Sequence, residues 1–534
     1  MMRQFVYAAG TAVHMAVEDP WLLVIQATRR LPRAMRAHLA EFVDSHSADW
    51  RHAVALWLAD QDTAREEVAA LIRMGAPGPR RLLAEVGVLL ALPEASDHGS
   101  PKTRARSAMR FGALTEAIRR AHGTPLRDRY LAERTVMTPG NSLVGYRQSQ
   151  PRRQQKLAVL HILTNSPPHT LSGYTQRSHQ VLLAQQAAGI QTAATTRIGY
   201  PVTIGRPFAR RRDTLDGIDY SRLIPWLPAR TTTRRLQQQL ALLRPHADRL
   251  GASVLHTTTH YPNALVTRAL AEERGIPWVY EVRGALEDTW VASFPPEHRE
   301  AARTSERYRL SRERETEMMQ AANAVVTLTH TMRADLITRG IPAARISVLP
   351  NGVAAQLLNI RQDPAAARRQ VGLPSPGFWV GTISSLVGYE GIDTLLHAIR
   401  IARDAGADIH AGIVGDGVAR PSLARLRREL RLDEIVHMPG RVHPDEVLPW
   451  YLAFDAFAVT RSETEVTRKV APLKHIQAMA LGRPLVVSDL PALTESSAGG
   501  ALIAPAGDPS AVAEALINLA ENPELRATLG TRGR

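Results

Sequence analysis

The residues best suited to chemistry lie in the stretch PLKHIQAMALGRPLVVSD, from Pro472 to Asp489, and just before it. Arg468, Lys469 and Lys474 place three cationic side chains there, and two of them are among the only four lysines of the chain. Guanidinium and ammonium groups neutralise phosphate, and the N-terminus of a helix offers unpaired N–H groups to an anion. The composition predicts contact with a phosphate-bearing ligand; a solvated basic surface is the alternative.

The spacing of the apolar residues in this stretch indicates the elements that position those cations. Leu473, Ile476 and Met479 recur at helical spacing, and the run from Leu485 to Val487 that follows Gly482 and Pro484 is typical of a buried strand. A further strand is predicted from Ala456 to Ser462. Because ligands of open α/β sheets bind beyond the carboxyl ends of the strands, we expect the cations at such an edge.

The same stretch resembles the donor-site block of the retaining nucleotide-sugar glycosyltransferases with the GT-B fold (family 4, "group 1"). The positions that match the family wording are Pro472, Leu473, Lys474, Ala478, Met479, Ala480, Gly482, Pro484, Ser488 and Asp489. The chain departs from the family at Gln477, where the family has a glutamate that holds the nucleotide ribose. The resemblance implies donor contacts from Lys474 and Gln477.

Composition narrows the class of protein. A length of 534 residues with 44% apolar residues suggests about three domains. No segment offers the ~20 uninterrupted apolar residues of a spanning helix, and we expect no signal peptide, which favours a cytoplasmic location. The net charge is +15, but aromatic residues are only 5% and are not interleaved with the basic ones, so no nucleic-acid partner is predicted.

The first part of the chain predicts an all-α domain at residues 1–135, followed by a linker at 136–155. Protein docking, contact with an anionic membrane surface, and simple coverage of the next domain are its three candidate roles. The basic amphipathic segment from Arg29 to Val43 could lie on lipid or be an ordinary packed helix. Asp60-Gln61-Asp62 has the form of a metal-binding motif, but turn chemistry is the better interpretation. No metal site is predicted.

Residues 156–352 predict the first of two Rossmann-like domains. A strand pattern after Lys156, a loop with Gly173, a helix and a second strand form a βαβ opening. This opening resembles the first loop of an exopolysaccharide-biosynthesis-like subgroup of the same glycosyltransferases. The matching positions are Ser172, Gly173, Tyr174, Arg177 and His179.

Three residues of this domain are the candidate catalytic or acceptor-binding groups: His256, His260 and Arg283. The family places a second histidine two residues after the first, near the reacting sugar; this chain has Thr258 there, and His260 is the candidate substitute. Arg283 follows a predicted strand and could hold an anionic or hydroxylated acceptor. An ion pair between Arg283 and its acidic neighbours is the alternative.

Residues 353–534 predict the second Rossmann-like domain, which the resemblance makes the donor domain. Many relatives clasp the donor diphosphate with an arginine and a lysine at positions that correspond to Thr382 and Glu390, whereas the exopolysaccharide-like subgroup tends to have Tyr-Glu-Gly at the second position. The predicted donor-binding residues are Gly173, Thr382, Glu390, Gly415, Asp416, Gly417, Arg468, Lys474 and Gln477.

The resemblance as a whole implies an α/β GT-B protein, in which two Rossmann-like domains face a cleft and an all-α domain precedes them. It implies a retaining hexosyltransferase without metal or cofactor, whose substrates are a nucleotide sugar and a lipid-linked or polysaccharide acceptor. It would be cytoplasmic and peripheral on the inner face of the membrane. The altered donor positions leave one alternative: a catalytically degenerate GT-B protein that acts as a binding scaffold through its helical prefix.

Overall fold

The computed structural model describes residues 2–18, 28, 31–44, 49–59, 64–74, 80–96, 99–143, 156–374 and 376–534. The Asp60-Gln61-Asp62 motif, residues 29–30 and most of the predicted linker lie outside these ranges. Among the described residues, no helix has the length and apolarity needed to cross a membrane.

The described part of the N-terminal region consists of helices, as its apolar spacing predicts. They are α1 (Met2–Glu18), α2 (Arg33–Asp44), α3 (Asp49–Leu58), α4 (Ala64–Met74), α5 (Arg80–Leu89), α6 (Pro101–Arg110), α7 (Leu114–Arg120) and α8 (Leu126–Met137). Trp57, Val68 and Val86 meet in a core of small and branched side chains. Helix α2 joins this core through Ala40, and its Arg36 is buried. In the part of the segment 29–43 that the structure describes, α2 is therefore a packed helix.

The first α/β region is built on an eight-stranded sheet with the order β3-β4-β2-β1-β5-β6-β7-β8. Its strands are β1 (Ala158–Leu163), β2 (Gln191–Thr196), β3 (Arg212–Leu215), β4 (Ile218–Ser221), β5 (Val254–Thr258), β6 (Trp278–Val282), β7 (Ala324–Thr327) and β8 (Ile346–Val348). Strand β1 is buried at every position and pairs in parallel with β2 and β5. A strand that is buried on both faces belongs at the centre of a covered parallel sheet.

Helices connect and cover these strands. They are α9 (Gly173–Ala187), α10 (Thr232–Leu250), α11 (Tyr261–Arg274), α12 (Leu286–Ala292), α13 (Pro296–Arg303), α14 (Glu306–Ala321) and α15 (His330–Thr338).

The second α/β region is built on a six-stranded parallel sheet with the order β11-β10-β9-β12-β13-β14. Its strands are β9 (Phe378–Ile383), β10 (Ile409–Val414), β11 (Val436–Gly440), β12 (Ala456–Val459), β13 (Leu485–Ser488) and β14 (Ala501–Ala504). Gly381 and Gly412 are paired neighbours, and a Cβ on either would lie 1.8 Å or 2.5 Å from the ring of Phe454. The two glycines therefore make room for this buried aromatic side chain.

The helices of this region are α16 (Pro364–Gln370), α17 (Ile392–Asp404), α18 (Arg420–Glu429), α19 (Val447–Ala453), α20 (Glu465–Lys469), α21 (Lys474–Ala480), α22 (Pro491–Ser497), α23 (Pro509–Glu521) and α24 (Pro523–Gly533). The predicted strand, helix, strand order of the stretch from Ala456 to Asp489 is confirmed as β12, α21 and β13. In the first sheet β3 and β4 pair antiparallel, whereas β1 pairs in parallel with β2 and β5. Two Rossmann-like sheets that follow a helical region confirm the predicted α/β class.

The chain folds into two compact units. The N-terminal unit comprises residues 1–170, 181–281 and 294–325, and the C-terminal unit comprises 171–180, 282–293 and 326–534. The glycine loop that precedes α9 and the loop that follows β6 therefore belong to the same unit as the second sheet.

Candidate functional site

The candidate site lies in the C-terminal unit, at the carboxyl ends of β9, β10 and β12. The loops after β9 and β10 meet there backbone to backbone. A Cβ on Gly415 would lie 1.8 Å from the carbonyl oxygen of Ser384, and one on Gly417 would lie 2.1 Å from that of Leu386. Only glycine permits this approach, so the predicted Gly415-Asp416-Gly417 motif has a steric reason for its composition.

A cluster of two cations and one carboxylate stands beside these loops. The Lys474 ammonium group donates to the hydroxyl of Ser384 at 2.9 Å and to the Glu390 carboxylate. The Arg461 guanidinium group donates to the other carboxylate oxygen of Glu390 at 2.7 Å and to the Val470 carbonyl at 2.9 Å. With both basic groups charged, the cluster carries one net positive charge at the edge of the sheet.

Glu390 is held as a charged carboxylate. Its burial alone would raise the pKa of the carboxyl, but the charges of Lys474 and Arg461 hold that pKa well below its usual range. Burial, with Arg461 nearby, lowers the pKa of the Lys474 ammonium group, and the contact with Glu390 opposes this shift. The negative charge of Glu390 is thus balanced by its two basic neighbours, and its carboxylate orients both of them.

The loop that carries Glu390 is attached to the end of β12. Gly391 has φ +65°, and a Cβ on it would lie 1.7 Å from the carbonyl oxygen of Thr460. The Thr460 hydroxyl donates to the Gly391 carbonyl at 2.7 Å. This close contact positions Glu390 relative to Arg461, which is the next residue after Thr460.

Gln477 and Gly173 also lie in this unit: Gln477 is on α21, and Gly173 lies beside Leu473, which precedes that helix. The Gln477 side-chain oxygen accepts a hydrogen bond from the Tyr451 hydroxyl at 3.0 Å, and its amide nitrogen is 3.5 Å from the side-chain oxygen of Gln176. A Cβ on Gly173 would be 3.5 Å from the Cβ of Leu473. The first turn of α9 therefore packs beside the helix that bears Lys474 and Gln477.

Arg283 contacts the first two turns of α9. Its guanidinium group donates to the Tyr174 carbonyl at 2.9 Å and to the Ser178 hydroxyl at 2.7 Å, and it lies 4.8 Å from the centre of the Tyr174 ring. Arg177 donates to the Pro350 carbonyl at 2.8 Å. Arg283 is buried in these contacts, so it supports the glycine loop as a positioning residue.

The other two cations of the stretch are engaged elsewhere. Lys469 contacts the carboxylates of Asp288 at 3.2 Å, Asp335 at 3.2 Å and Glu465 at 3.1 Å. Arg468 is exposed and pairs with Glu463 at 2.5 Å. Of the three cations singled out in the sequence, Lys474 is the one that contacts the loop after β9.

Thr382 and Asp416 flank the site. Thr382 lies inside β9, and its buried hydroxyl has no hydrogen-bond partner in the described part of the chain. The Asp416 carboxylate accepts from the backbone N–H of Gly417 at 2.9 Å. Asp416 thus stabilises its own glycine turn.

The two candidate histidines belong to the N-terminal unit. His256 lies within β5, where its ring stacks on His161 at 4.4 Å and its Nε2 is 3.3 Å from the Glu281 carboxylate. His260 precedes α11 as its N-cap, and burial lowers its pKa to about 4. At neutral pH the His260 imidazole is therefore uncharged. Because His260 lies at a strand end and His256 within a strand, His260 is the better placed to meet a ligand.

Sequence reasoning missed Arg461, Ser384 and Tyr451. Arg461 had a signal, because it lies at the carboxyl end of the strand predicted from Ala456 to Ser462, and strand ends carry the sites of α/β sheets. Ser384 and Tyr451 had none, because each is defined only by the distant residue that it contacts.

Two families of glycosyltransferases match the two α/β regions. Residues 172–352 match the family described as "Glycosyl transferase 4-like domain", and residues 377–522 match "Glycosyl transferases group 1". The first match begins after β1 and covers the other strands of the first sheet, and the second match covers all strands of the second sheet. The two α/β regions therefore match glycosyltransferase domain families and correspond to the two domains of the GT-B fold.

Curated relatives of this chain include a D-inositol 3-phosphate glycosyltransferase of Streptomyces scabiei, to which it is 27% identical over 232 residues. That match covers 40% of this chain and 50% of the relative. The chain therefore spans about half the length of the curated relatives it matches.

Solved structures share the fold at low sequence identity. Sucrose-phosphate synthase from Thermosynechococcus elongatus superposes with a TM-score of 0.57 at 19% identity, over 71% of this chain and 93% of that one. Anabaena HepE in complex with UDP-glucose superposes with a TM-score of 0.52 at 16% identity, over 71% and 93% of the two chains. These structures show that the chain shares the GT-B fold.

A pH dependence of stability follows from His475, which lies on α21. Its ring is fully buried, Nε2 is 2.7 Å from the Ser496 hydroxyl, and burial lowers the pKa to about 3. The His475 ring takes up a proton near pH 6.5 in the unfolded chain but only near pH 3 in the folded chain. The contribution of this residue to the free energy of unfolding is therefore fully present above pH 6.5 and is lost as the pH falls toward 3.

We expect this histidine to lower the free energy of unfolding by about 2 kcal/mol between pH 8 and pH 5. His475→Gln, which keeps a side-chain amide near Ser496, should remove that part of the loss. Urea titrations of both proteins at the two pH values measure it. The same pH dependence in both would contradict the assignment.

Proposed function

We propose that this protein is a glycosyltransferase that moves a hexose from a nucleoside-diphosphate-sugar donor to a lipid-linked or polysaccharide acceptor, with retention at the anomeric carbon and without a metal ion. The observation that carries the proposal is the cluster of Lys474, Glu390 and Arg461 beside the glycine-lined ends of β9 and β10. Glycine loops admit a ligand close to the backbone, and cations balance its phosphates.

The chemistry of donor cleavage explains the need for the cluster. Breaking the bond between the sugar and the diphosphate leaves negative charge on the departing oxygen. Cations held in place before the reaction stabilise that charge without reorganisation. Glu390 holds Lys474 and Arg461 in fixed positions, and the cluster keeps one uncompensated positive charge for the diphosphate.

The nucleoside end of the donor is assigned to Gln477 by the family resemblance. The Tyr451 hydroxyl holds the side-chain oxygen of Gln477, which orients the amide. A neutral amide hydrogen-bonds a ribose hydroxyl more weakly than a carboxylate does, by about 1 kcal/mol. The bound UDP-glucose of HepE supports a uridine nucleotide and a hexose as the first donor to test.

The acceptor side is assigned to the N-terminal unit. His260, kept uncharged by burial, can hydrogen-bond a sugar or acceptor hydroxyl at neutral pH. Arg283 acts through the loop of Gly173 rather than on the substrate. Retention and the acceptor class rest on the resemblance to the exopolysaccharide-like subgroup.

A thermal-shift panel of UDP-, GDP- and ADP-sugars tests donor binding. We expect one nucleotide class to stabilise the protein and Gln477→Glu to lower the dissociation constant of that donor about fivefold to tenfold, because the carboxylate makes a charge-assisted bond to the ribose. Gln370→Glu, the same substitution at an exposed position of α16, is the matched control and should leave the constant unchanged. A folded protein that no donor stabilises at millimolar concentration would contradict the proposal and favour a non-catalytic scaffold.

A further inference from the structure

Helix α1 presents an apolar face to solvent. Every exposed position of this helix holds an apolar residue: Met2, Phe5, Ala9, Ala12, Val13, Ala16 and Val17. Phe5 is 62% exposed and Val13 58%. These positions recur at three-and-four spacing and form one stripe along the helix. A surface helix normally carries polar residues on its outer face, so this stripe calls for a partner.

The opposite face of α1 is packed on the N-terminal unit. The Gln4 side chain donates to the Ala209 carbonyl at 2.5 Å, Tyr7 is 3% exposed, and a Cβ on Gly10 would lie 2.9 Å from Pro228. Arg3 lies 5.4 Å from the centre of the Trp226 ring. Since these contacts hold one face inward, the apolar stripe cannot turn into the core.

Two loops beside α1 continue the apolar surface. One loop follows β2 and exposes Phe208, which is 72% accessible, together with Ile204. The other follows β4 and exposes Trp226, which is 50% accessible, and Leu227. Contacts of α1 with Ala209 and Trp226 place both loops next to the helix. We define the membrane-docking surface as the apolar stripe of α1 together with these four loop residues.

Arginines flank the exposed loop residues of this surface along the chain. Arg206, Arg210, Arg211 and Arg230 are exposed, and none forms an ion pair with another described residue. Exposed aromatic and aliphatic side chains suit the acyl layer of a bilayer, and the arginines near them suit its anionic headgroups. A protein partner of the same surface would need compensating carboxylates together with a matching apolar patch.

We propose that the membrane-docking surface binds an anionic lipid bilayer, with α1 lying in the plane of the interface. Its apolar stripe would enter the boundary between headgroups and acyl chains, Trp226 and Phe208 would anchor the loops, and the arginines would meet the headgroups. This inference deepens the proposed function, because a lipid-linked acceptor lies in such a bilayer. It differs from the segment Arg29–Val43 suggested by the sequence, since α2 packs into the helical core.

Co-sedimentation of the full chain with vesicles tests the proposal. We expect binding to vesicles of phosphatidylcholine mixed with phosphatidylglycerol and much weaker binding to phosphatidylcholine alone. Phe5→Glu/Val13→Glu should weaken binding at least about tenfold, because two anchors can no longer enter the apolar layer. Arg210→Gln/Arg211→Gln should weaken it about tenfold, and only with phosphatidylglycerol present.

The matched control is Met74→Glu/Leu131→Glu, which adds two carboxylates at exposed apolar positions of other prefix helices. This control should bind vesicles as the unaltered protein does. Binding that Phe5→Glu/Val13→Glu leaves unchanged would overturn the proposal, as would absence of binding by the unaltered protein. A dimer in solution that this variant dissociates, without vesicle binding, would assign the surface to a second copy instead.

Thermal stabilisation by the donor, measured on the same proteins, tests the proposed function independently of the membrane-docking surface. We expect Phe5→Glu/Val13→Glu to retain it, because α1 and the donor site belong to different compact units. A variant that retains donor binding and loses vesicle binding supports the docking surface. A protein that binds vesicles through α1 and binds no donor would overturn the proposed function alone.

Discussion

Replacement of Lys474 by methionine is expected to lower kcat/KM for the nucleotide-sugar donor by about a thousandfold. The ammonium group is the cation that joins the loop after β9, through Ser384, to the Glu390 carboxylate. Its loss leaves Glu390 balanced only by Arg461 and removes the net positive charge of the cluster. Loss of a preorganised charge contact costs about 3–4 kcal/mol in the transition state. Steady-state kinetics with the donor identified by thermal shift measures the effect.

Urea unfolding of Lys474→Met separates this effect from a loss of folding. The substitution leaves Glu390 paired with Arg461, so neither buried charge loses its last partner. We expect the variant to unfold in urea near the unaltered protein although its activity is lost. If stability fell together with activity, the Lys474 contact would be structural and the loss of activity would not report on the donor.

Replacement of Gly415 by alanine is expected to weaken donor binding at least about a hundredfold. The new Cβ would lie 1.8 Å from the carbonyl oxygen of Ser384, so the loops after β9 and β10 must separate. Gly415 also has φ +138°, a conformation that an alanine adopts only with strain. Displacement of Ser384 moves the hydroxyl that accepts from Lys474. Titration of the protein with donor, followed by thermal shift, reports the loss.

Gly406→Ala is the matched control for this substitution. Gly406 lies in the same unit with φ +89°, but nothing stands within 4 Å of its added Cβ. It should cost about 1 kcal/mol of stability through backbone strain and leave donor affinity unchanged. Equal loss of donor binding in the two variants would show that strain alone, and not the contact with Ser384, determines the effect.

In the second α/β region, the spacing of apolar residues and glycines predicted the local helices, strands and turns. The period change from Lys474 to Val487 predicted a helix and a strand, and both are present as α21 and β13. The glycines at 415 and 417 were placed at a strand end, where the structure has them. Local signals of this kind are readable because apolar periodicity and glycine conformations act within a few residues.

The pairing of charges could not be read in the same way. Glu390 and Lys474 are 84 residues apart, and Arg461 and Glu390 are 71 apart. Lys469 and Lys474 have the same side chain five positions apart, yet only the second contacts the loop after β9. Which carboxylate meets which cation depends on the packing of whole strands and helices.

The sequence by itself determined the two α/β regions, the helical region before them, the resemblance to the GT-B glycosyltransferases and the stretch that would carry the donor site. These features depend on the local periodicity of apolar residues and on short sequence motifs, both of which can be recognised in the sequence without the fold. Only the tertiary structure decided that Glu390 is neutralised by Lys474 and Arg461, that Arg283 supports a loop, and that α1 keeps an apolar face in solvent. Each depends on contacts between distant segments, whose free energies arise only when the chain has folded.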